Sequence, residues 1–421
     1  MTKSDDKRVP VLRFKGFTDE WEQRKLLDIL EQPVTDGPHE TPNLVKKGIP
    51  FISAEAIINN QIDFSKKRGY ISVEYNKQCN KKYAPKIYDV YMVKSGSTVG
   101  KVAILETSRI FNIWSPLAAM RVNHKNSPYF LYYLLQTDML QEQTQNKSKG
   151  GTQPNLSMRV LEKFSTYYTN VEEEEKIANL LKVVDKLISL QQRKEKQIKL
   201  LKQAMFQTLF TNKNVPQLRF KGFTDNWEQR KLGDLTQRIK SYPISHDAEI
   251  NKITGTKYIH YGDIHTGKLK RITNEKILPN INDNNYIPLK SGDVIVADAS
   301  EDYKGIADAC VIDLMKEHYK IVSGLHTIVF RPNEKLKSDF LYTYLHTSIF
   351  KHYGYRVGTG LKVFGISYNN LSNMKIKLPK IDEQNKVDKI INIVTNLVTL
   401  QQNKTKKLEN LKQFLLQNMF I

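Results

Sequence analysis

The chain has 421 residues, 40% of them hydrophobic, with 65 basic against 44 acidic side chains and a formal charge of +21. That length can bury the cores of two or more domains, and that charge favours an anionic partner, either nucleic acid or an acidic membrane surface. It holds no run of about 20 apolar residues fit to cross a bilayer, no apolar stretch in its opening MTKSDDKRVP, and only Cys79 and Cys310, far apart in sequence; the expectation is a cytoplasmic protein with no membrane partner, no signal peptide and no disulfide framework.

The first predicted element is a short Trp-containing opening, VPVLRFKGFTDEWEQRKLLDI at 9–29, which returns as VPQLRFKGFTDNWEQRKLGDL at 215–235 with 17 of 21 positions identical. Trp21 and Trp227 are expected to anchor cores. A variable middle follows at roughly 30–125, punctuated by Pro and Gly as in TDGPHETP at 35–42. Within it DVYMVKSGSTVGKVAI at 89–104 reads as strand, Gly/Ser turn and strand. GSTVGK at 96–101 has three residues between its glycines where a phosphate loop needs four, and Val102 stands where Ser or Thr would meet magnesium, so a β-turn explains it better. Lys66, Lys67 and Arg68 form a basic patch before GYISVEY, and Lys147 and Lys149 precede Gly150–Gly151, a loop able to approach a nucleic-acid backbone. SPYF at 127–130 starts a helix, with the proline in its first turn.

A long helix is predicted over 172–209. Its apolar seam runs through Ile177, Leu180, Val184, Leu187, Gln191, Lys194, Ile198 and Leu201 in alternating steps of three and four, the coiled-coil spacing. The second copy then repeats the order. DFLYTYLHT at 339–347 matches YFLYYLLQT at 129–137, and NLKQFLLQNMF at 410–420 matches LLKQAMFQTLF at 200–210, both 210 residues on. Its seam is Val387, Ile390, Val394, Leu397, Gln401, Lys404, Leu408 and Leu411. Both seams turn polar at the same place, Gln191 and Lys194 in one and Gln401 and Lys404 in the other. Two readings stand: a solvated mid-helix pair, or a polar layer fixing register near the centre of an antiparallel pair.

The second middle, roughly 236–335, hardly resembles the first but keeps the strand–turn–strand trace at 293–312. Its candidates are Arg356 and Lys362 beside the Gly358–Gly360 turn. Tyr258, His260 and Tyr261 could read or stack on bases, although strand aromatics more often pack. His260 and His265 flank a Gly-Asp turn, with His326 isolated, and no metal site is expected there. The chain has no HExxH, no Pro-Pro-aromatic loop and no Pro-Asp dipeptide. No catalytic residue is assigned; the sequence reads as a binder. A self-sufficient methyltransferase or nuclease, and a coiled-coil organiser with incidental charge, are the competing classes.

The two openings LRFKGFTDEWEQRKLLDI and LRFKGFTDNWEQRKLGDL, the strings KKGIPFISAEAI at 46–57, KSGSTVGKVAI at 94–104 and IDEQNKVDKIINIV at 381–394, and the order of all elements resemble the specificity subunits of type I restriction-modification enzymes. The resemblance covers nearly the whole chain. It implies an α+β fold with an internal pseudo-twofold: two α/β target-recognition domains separated by two long antiparallel coiled-coil helices. The implied division is 1–150 and 211–360 for the recognition domains, 151–210 and 361–421 for the conserved helical spacers. It further implies a non-catalytic DNA-binding subunit that reads a bipartite duplex target. Modification subunits using S-adenosylmethionine would methylate adenine, and a restriction subunit using ATP and magnesium would cut. This chain would bind no cofactor itself. One departure is the entrance YTNVEEEEKIANLL at 168–181, which lacks the Pro and Glu-Gln of the second copy.

Overall fold

The computed structural model describes residues 8–149, 153–300, 307–316, 318–360 and 364–421. Contacts divide the chain into one unit made of Met1–Gln192 with Asn403–Ile421 and a second made of Arg193–Gln402. The division falls inside each of two long helices, Val171–Leu209 and Ile381–Asn418.

In the first unit the opening forms strand Glu22–Lys25, which pairs antiparallel with Ser165–Tyr168 on the way into the first long helix. The variable middle builds a four-stranded sheet in the order Thr35–Asp36, Leu117–Met120, Val90–Val93, Val102–Ile104, all antiparallel. A three-stranded sheet joins Gly69–Ile71, Ile49–Ile52 and Asn112–Ile113. The expected strand–turn–strand is a hairpin with Val90 opposite Ile104, and Gly96 and Gly100 take φ of +98° and +97°, a region open to glycine. Successive residues of Val90–Val93 serve two cores: Val90 and Met92 join Trp21 and Phe130, while Tyr91 and Val93 join Ile52 and Phe111. Side chains alternate across a strand, so a strand covered on both faces reads as an unbroken apolar run.

The second unit repeats the frame and changes the contents. Glu228–Lys231 pairs antiparallel with Lys375–Leu378. Its main sheet has five strands, in the order Thr236–Ile239, Thr327–Pro332, Val294–Ala297, Ala309–Ile312, Arg271–Ile272. A parallel pair, Thr256–Ile259 with Lys320–Ser323, stands apart. Here too Val294 and Val296 belong with Trp227, and Ile295 and Ala297 with Ile259.

Each tryptophan core is closed by the far end of a long helix. Trp21, 1% exposed, meets Phe130 at 5.7 Å and Phe420 at 6.4 Å between ring centroids, and Leu415 and Met419 join the same cluster. In the second unit Trp227 meets Phe340 at 6.1 Å, and Phe210 lies 5.5 Å from Phe340. Thus 403–421 completes the domain that begins the chain, and 193–210 completes the domain that follows. In the first unit the helix halves run antiparallel: Asp185 pairs with Lys412 at 2.8 Å and Gln192 donates to Glu409 at 3.2 Å.

The buried helix seam differs from the one drawn on the sequence. Ile177, Val184, Val387 and Val394 are buried, and Leu180, Ile198, Ile390 and Leu408 are half-buried. Leu187, Leu201, Leu397 and Leu411 are exposed by 41%, 54%, 44% and 43%. Leu181, Ile188, Val398 and Ile391, each one residue beyond a predicted seam position, turn inward in their place. Adjacent apolar residues such as Leu180–Leu181 and Leu187–Ile188 satisfy three-four and four-three spacing equally, so periodicity alone does not choose the row. Lys194 and Lys404 are exposed, Gln191 and Glu195 are half-buried, and Gln401 and Thr405 are buried.

Candidate nucleic-acid interface

In the first domain Asp63 starts the site. Its carboxylate accepts from Ser65 N at 2.9 Å and caps a short helical turn, Phe64–Lys66. That turn delivers Lys67 and Arg68 to the strand Gly69–Ile71, where Arg68 N donates to the Phe51 carbonyl at 2.9 Å. Each cation then lies against a ring. The Arg68 guanidinium is 3.9 Å from the Trp114 ring centroid, and Lys67 Nζ is 4.9 Å from that of Tyr70. Arg109 lies 4.6 Å from Phe64. Trp114 is fixed by its indole N–H donating to the Glu40 carbonyl at 3.1 Å. Aromatic faces hold cations in place without neutralising them. Among the described residues none of Lys66, Lys67, Arg68 and Arg109 has an ion pair. A planar guanidinium held this way suits phosphate oxygens or a guanine edge.

Arg109 and Trp114 were not among the sequence candidates. Their signal is SRIFNIW at 108–114, where a basic residue and aromatics interleave on a segment reaching strand Asn112–Ile113. Lys147 and Lys149 are exposed at the end of helix Asp138–Ser148. Gly150–Gly151 lies outside the described residues; Asn155 bridges to Ser95 and Gly96 N donates to the Pro154 carbonyl at 3.0 Å, so Pro154 and Asn155 flank the Gly/Ser hairpin turn. Among the described residues no hydrogen bond or ring contact joins these two lysines to Lys66–Arg68.

In the second domain Arg356 is exposed on helix Ser348–Val357 with its guanidinium 5.6 Å from the Tyr353 ring. Lys362 lies outside the described residues. Tyr258 is buried, donating its hydroxyl to Glu249 at 2.7 Å, and His260 is buried with Nδ1 accepting from Gly262 N at 3.1 Å; both pack the fold. His326 is not isolated: its ring lies 5.3 Å from Tyr261, itself 4.6 Å from His260, and His246 stacks on His260 at 3.7 Å. Among the described residues no group of three His, Cys, Asp or Glu side chains is arranged to hold a metal ion, and no helix is long and apolar enough to cross a membrane.

One repeated frame carrying two unlike basic α/β domains defines a class: a DNA-binding protein with two reading modules. The comparisons carry this to a family. The model described as "Type I restriction modification DNA specificity domain" matches residues 18–200 and again 224–410. The chain belongs to that family and is a specificity subunit that binds DNA and directs partner subunits. Among its relatives are two chains of Methanocaldococcus jannaschii. The type I restriction enzyme MjaX specificity subunit, provisionally so named, is 25% identical over 94% of this chain and 91% of its own length. The MjaVIII specificity subunit is 22% identical over 86% and 83%. The S subunit of a type I restriction-modification system from M. genitalium has a similar fold, with a TM-score of 0.61 at 14% identity over 98% of this chain and 99% of that one. A chain from a structure of type I R-M complex assembly and conformational transition gives 0.54 at 18% identity over 94% and 96%.

Proposed function

We propose that residues 1–150 and 211–360 are target-recognition domains that each read one half of a bipartite duplex site, and that 151–210 and 361–421 are conserved spacers between them. The observation that carries this reading is the contrast between frame and contents. The strand pairs Glu22–Lys25 with Ser165–Tyr168 and Glu228–Lys231 with Lys375–Leu378 are superposable in register, while the sheets they enclose differ in strand number and order. In the first domain Arg68 on Trp114, with Lys67 and Arg109, is the reading surface; Lys66, Lys147 and Lys149 hold phosphates. In the second, Arg356 and Lys362 take that part.

The partners are modification subunits that bind S-adenosylmethionine and methylate adenine, and a restriction subunit driven by ATP and magnesium. The exposed apolar residues Val183, Leu187 and Leu190, with Leu411 and Phe414 in the same unit, form a docking face for a modification subunit; Ile393, Leu397 and Leu400 form its counterpart. Patches of this kind on charged helices mark protein contacts. Methylome sequencing of cells with and without the gene tests the function: a split adenine-methylated motif should vanish on deletion. Replacing 30–150 by the matching region of a relative should change one half of that motif; a change in both halves contradicts independent reading.

A further inference from the structure

Three backbone hydrogen bonds recur at the end of the parallel strand pair in each unit and let the two surfaces be matched residue by residue. In the first unit Trp114 N donates to the Ile52 carbonyl at 2.8 Å, Lys94 N to that of Pro116 at 2.8 Å and Leu156 N to that of Lys94 at 2.7 Å. In the second, Gly324 N donates to Ile259 at 2.9 Å, Asp298 N to His326 at 3.0 Å and Ile366 N to Asp298 at 2.8 Å. Gly324 therefore stands where Trp114 does, His326 where Pro116 does, and His260, next after Ile259, where Ser53 does. The cations differ as well. Asp63 and Asn274 each cap a three-residue helical turn, but Lys67 and Arg68 follow the first turn, and Leu278 and Pro279 the second. Where the first domain stacks Arg68 on Trp114, the second has neither residue.

What it has there is a row of four rings. Between centroids, His246 lies 3.7 Å from His260, His260 4.6 Å from Tyr261, and Tyr261 5.3 Å from His326, edge to face. Both ends of the row are exposed, Tyr261 is half-buried and His260 is buried. Each end is held by a carboxylate: His246 Nδ1 by Glu249 Oε1 at 2.6 Å, and His326 Nδ1 by Asp298 Oδ1 at 3.2 Å. Glu249 is itself fixed by the hydroxyl of buried Tyr258, which donates to it at 2.7 Å. A carboxylate only accepts, so Nδ1 is the donor in both rings and each Nε2 is left for another molecule. Among the described residues neither Nε2 nor the Tyr261 hydroxyl has a hydrogen-bond partner. The chain that leaves the Arg356 helix passes this end of the domain, since Thr359 bridges to Gly365 and Ile366 N reaches Asp298.

We propose that His246, Tyr261 and His326 read base edges in the second half of the duplex target, and that Glu249 and Asp298 are positioning residues for the two imidazoles. The site rests on the DNA-binding reading above and names the base readers of its second domain, leaving Arg356 to phosphate. An imidazole nitrogen and a phenol hydroxyl each meet one donor or acceptor on a base edge, so they contribute to discrimination between sequences more than to salt-dependent affinity.

The test uses the chain assembled with its modification subunits and duplexes carrying the methylome-defined target varied one base pair at a time; the second half is the one that survives exchange of residues 30–150. His246→Ala, Tyr261→Phe and His326→Gly should each lower discrimination by about fivefold or more at one or two base pairs of that half. The first half should be read as before, and the log–log salt slope should stay at its wild-type value. Tyr261→Phe keeps its ring, and His326→Gly relieves a φ of +56°, so both variants should keep the fold. Glu249→Ala and Asp298→Ala should relax the same base pairs as His246→Ala and His326→Gly respectively, a match that a loss of stability alone would not produce. Unchanged discrimination in all three ring variants overturns the site. Equal losses on every duplex overturn it too, and a flatter salt slope would then make the imidazoles phosphate contacts. Failure of the wild-type complex to prefer its target over a scrambled duplex overturns the DNA-binding reading itself.

Discussion

Arg13 grips Glu173 across 160 residues of chain, Nε to Oε1 at 2.7 Å and the second guanidinium nitrogen to Oε2 at 2.8 Å, with the carboxylate fully buried. Thr169 adds its hydroxyl at 2.5 Å, and the Arg13 pKa is raised, chiefly by the hydrogen bond to Glu173. Arg219 and Glu383 repeat the grip at 2.8 and 2.9 Å. This explains why LRFKGF occurs twice. Its arginine fastens each opening to the first turn of the long helix that ends the same copy. It also resolves the atypical first entrance: Glu173 does what Glu383 does, so of the Pro and Glu-Gln only Pro379 and Gln384 are replaced, by Thr169 and Glu174.

Removing one partner of a buried pair strands the other. Arg13→Ala should therefore cost about 3–5 kcal/mol in the first unit, and Arg13→Ala with Glu173→Gln should recover part of that loss. Urea denaturation of the single and double variants measures both. A double variant no more stable than Arg13→Ala would mean that the arginine acts through packing.

Glu174 makes folding of the first unit pH-dependent. Burial raises its pKa to about 7 even though Ser127 N and Asn126 Nδ2 donate to it at 2.7 and 2.9 Å. Its usual value is 4.5. Between those values the folded chain holds a proton that the unfolded chain has released, so stability falls as pH rises through the window and then levels off. Gln384, its counterpart, accepts from Lys337 N and donates to the Lys335 and Pro379 carbonyls. Glu174→Gln should add up to about 3 kcal/mol at pH 8 and little at pH 4.5. An equal gain at both pH values, in denaturation curves of the full chain, would rule the carboxyl out as the cause.

Arg68→Ala should weaken binding of the first half-site by about 1–3 kcal/mol if the guanidinium reads a base, and relax sequence preference there. Arg68→Lys keeps the charge and loses the planar stack on Trp114, so it should retain non-specific affinity without restoring preference. Binding to duplexes varied one base pair at a time separates the two effects. Equal losses on every duplex would make Arg68 a phosphate contact.

Leu187 and Leu397 are open to solvent on the long helices. Leu187→Glu should leave the melting temperature within about 2 °C of wild-type, as surface changes do. It should nevertheless reduce capture of the modification subunit by tenfold or more, the cost of a charge in an apolar contact. Sedimentation of mixed subunits reads the assembly; wild-type assembly by Leu187→Glu and Leu397→Glu together would move the docking face elsewhere.

Much of the architecture was legible because the chain states it twice. An offset of 206 exposed the openings with their two tryptophan anchors, and one of 210 exposed the long helices. The seam was harder, because Leu180–Leu181 and Leu187–Ile188 offer two equivalent rows and only the packed partner selects one. The Arg13–Glu173 grip was invisible, since nothing local links residues 160 apart. At the candidate interface Lys66–Arg68 stood out as a charge run, whereas Arg109 and Trp114 are single residues whose meaning comes from the rings and cations that folding brings to them.

The closure of the Trp21 core by Leu415, Met419 and Phe420 has a consequence for biosynthesis. On the ribosome the domain made first waits for residues translated after the whole second domain, while the Trp227 core receives Leu209 and Phe210 before its own sheet is translated. The second domain can therefore mature first, and the first domain holds an open apolar seat until Leu415, Met419 and Phe420 emerge. A message cut short before the codon for Leu415 yields a chain whose defect lies in the Trp21 core, among the residues translated earliest.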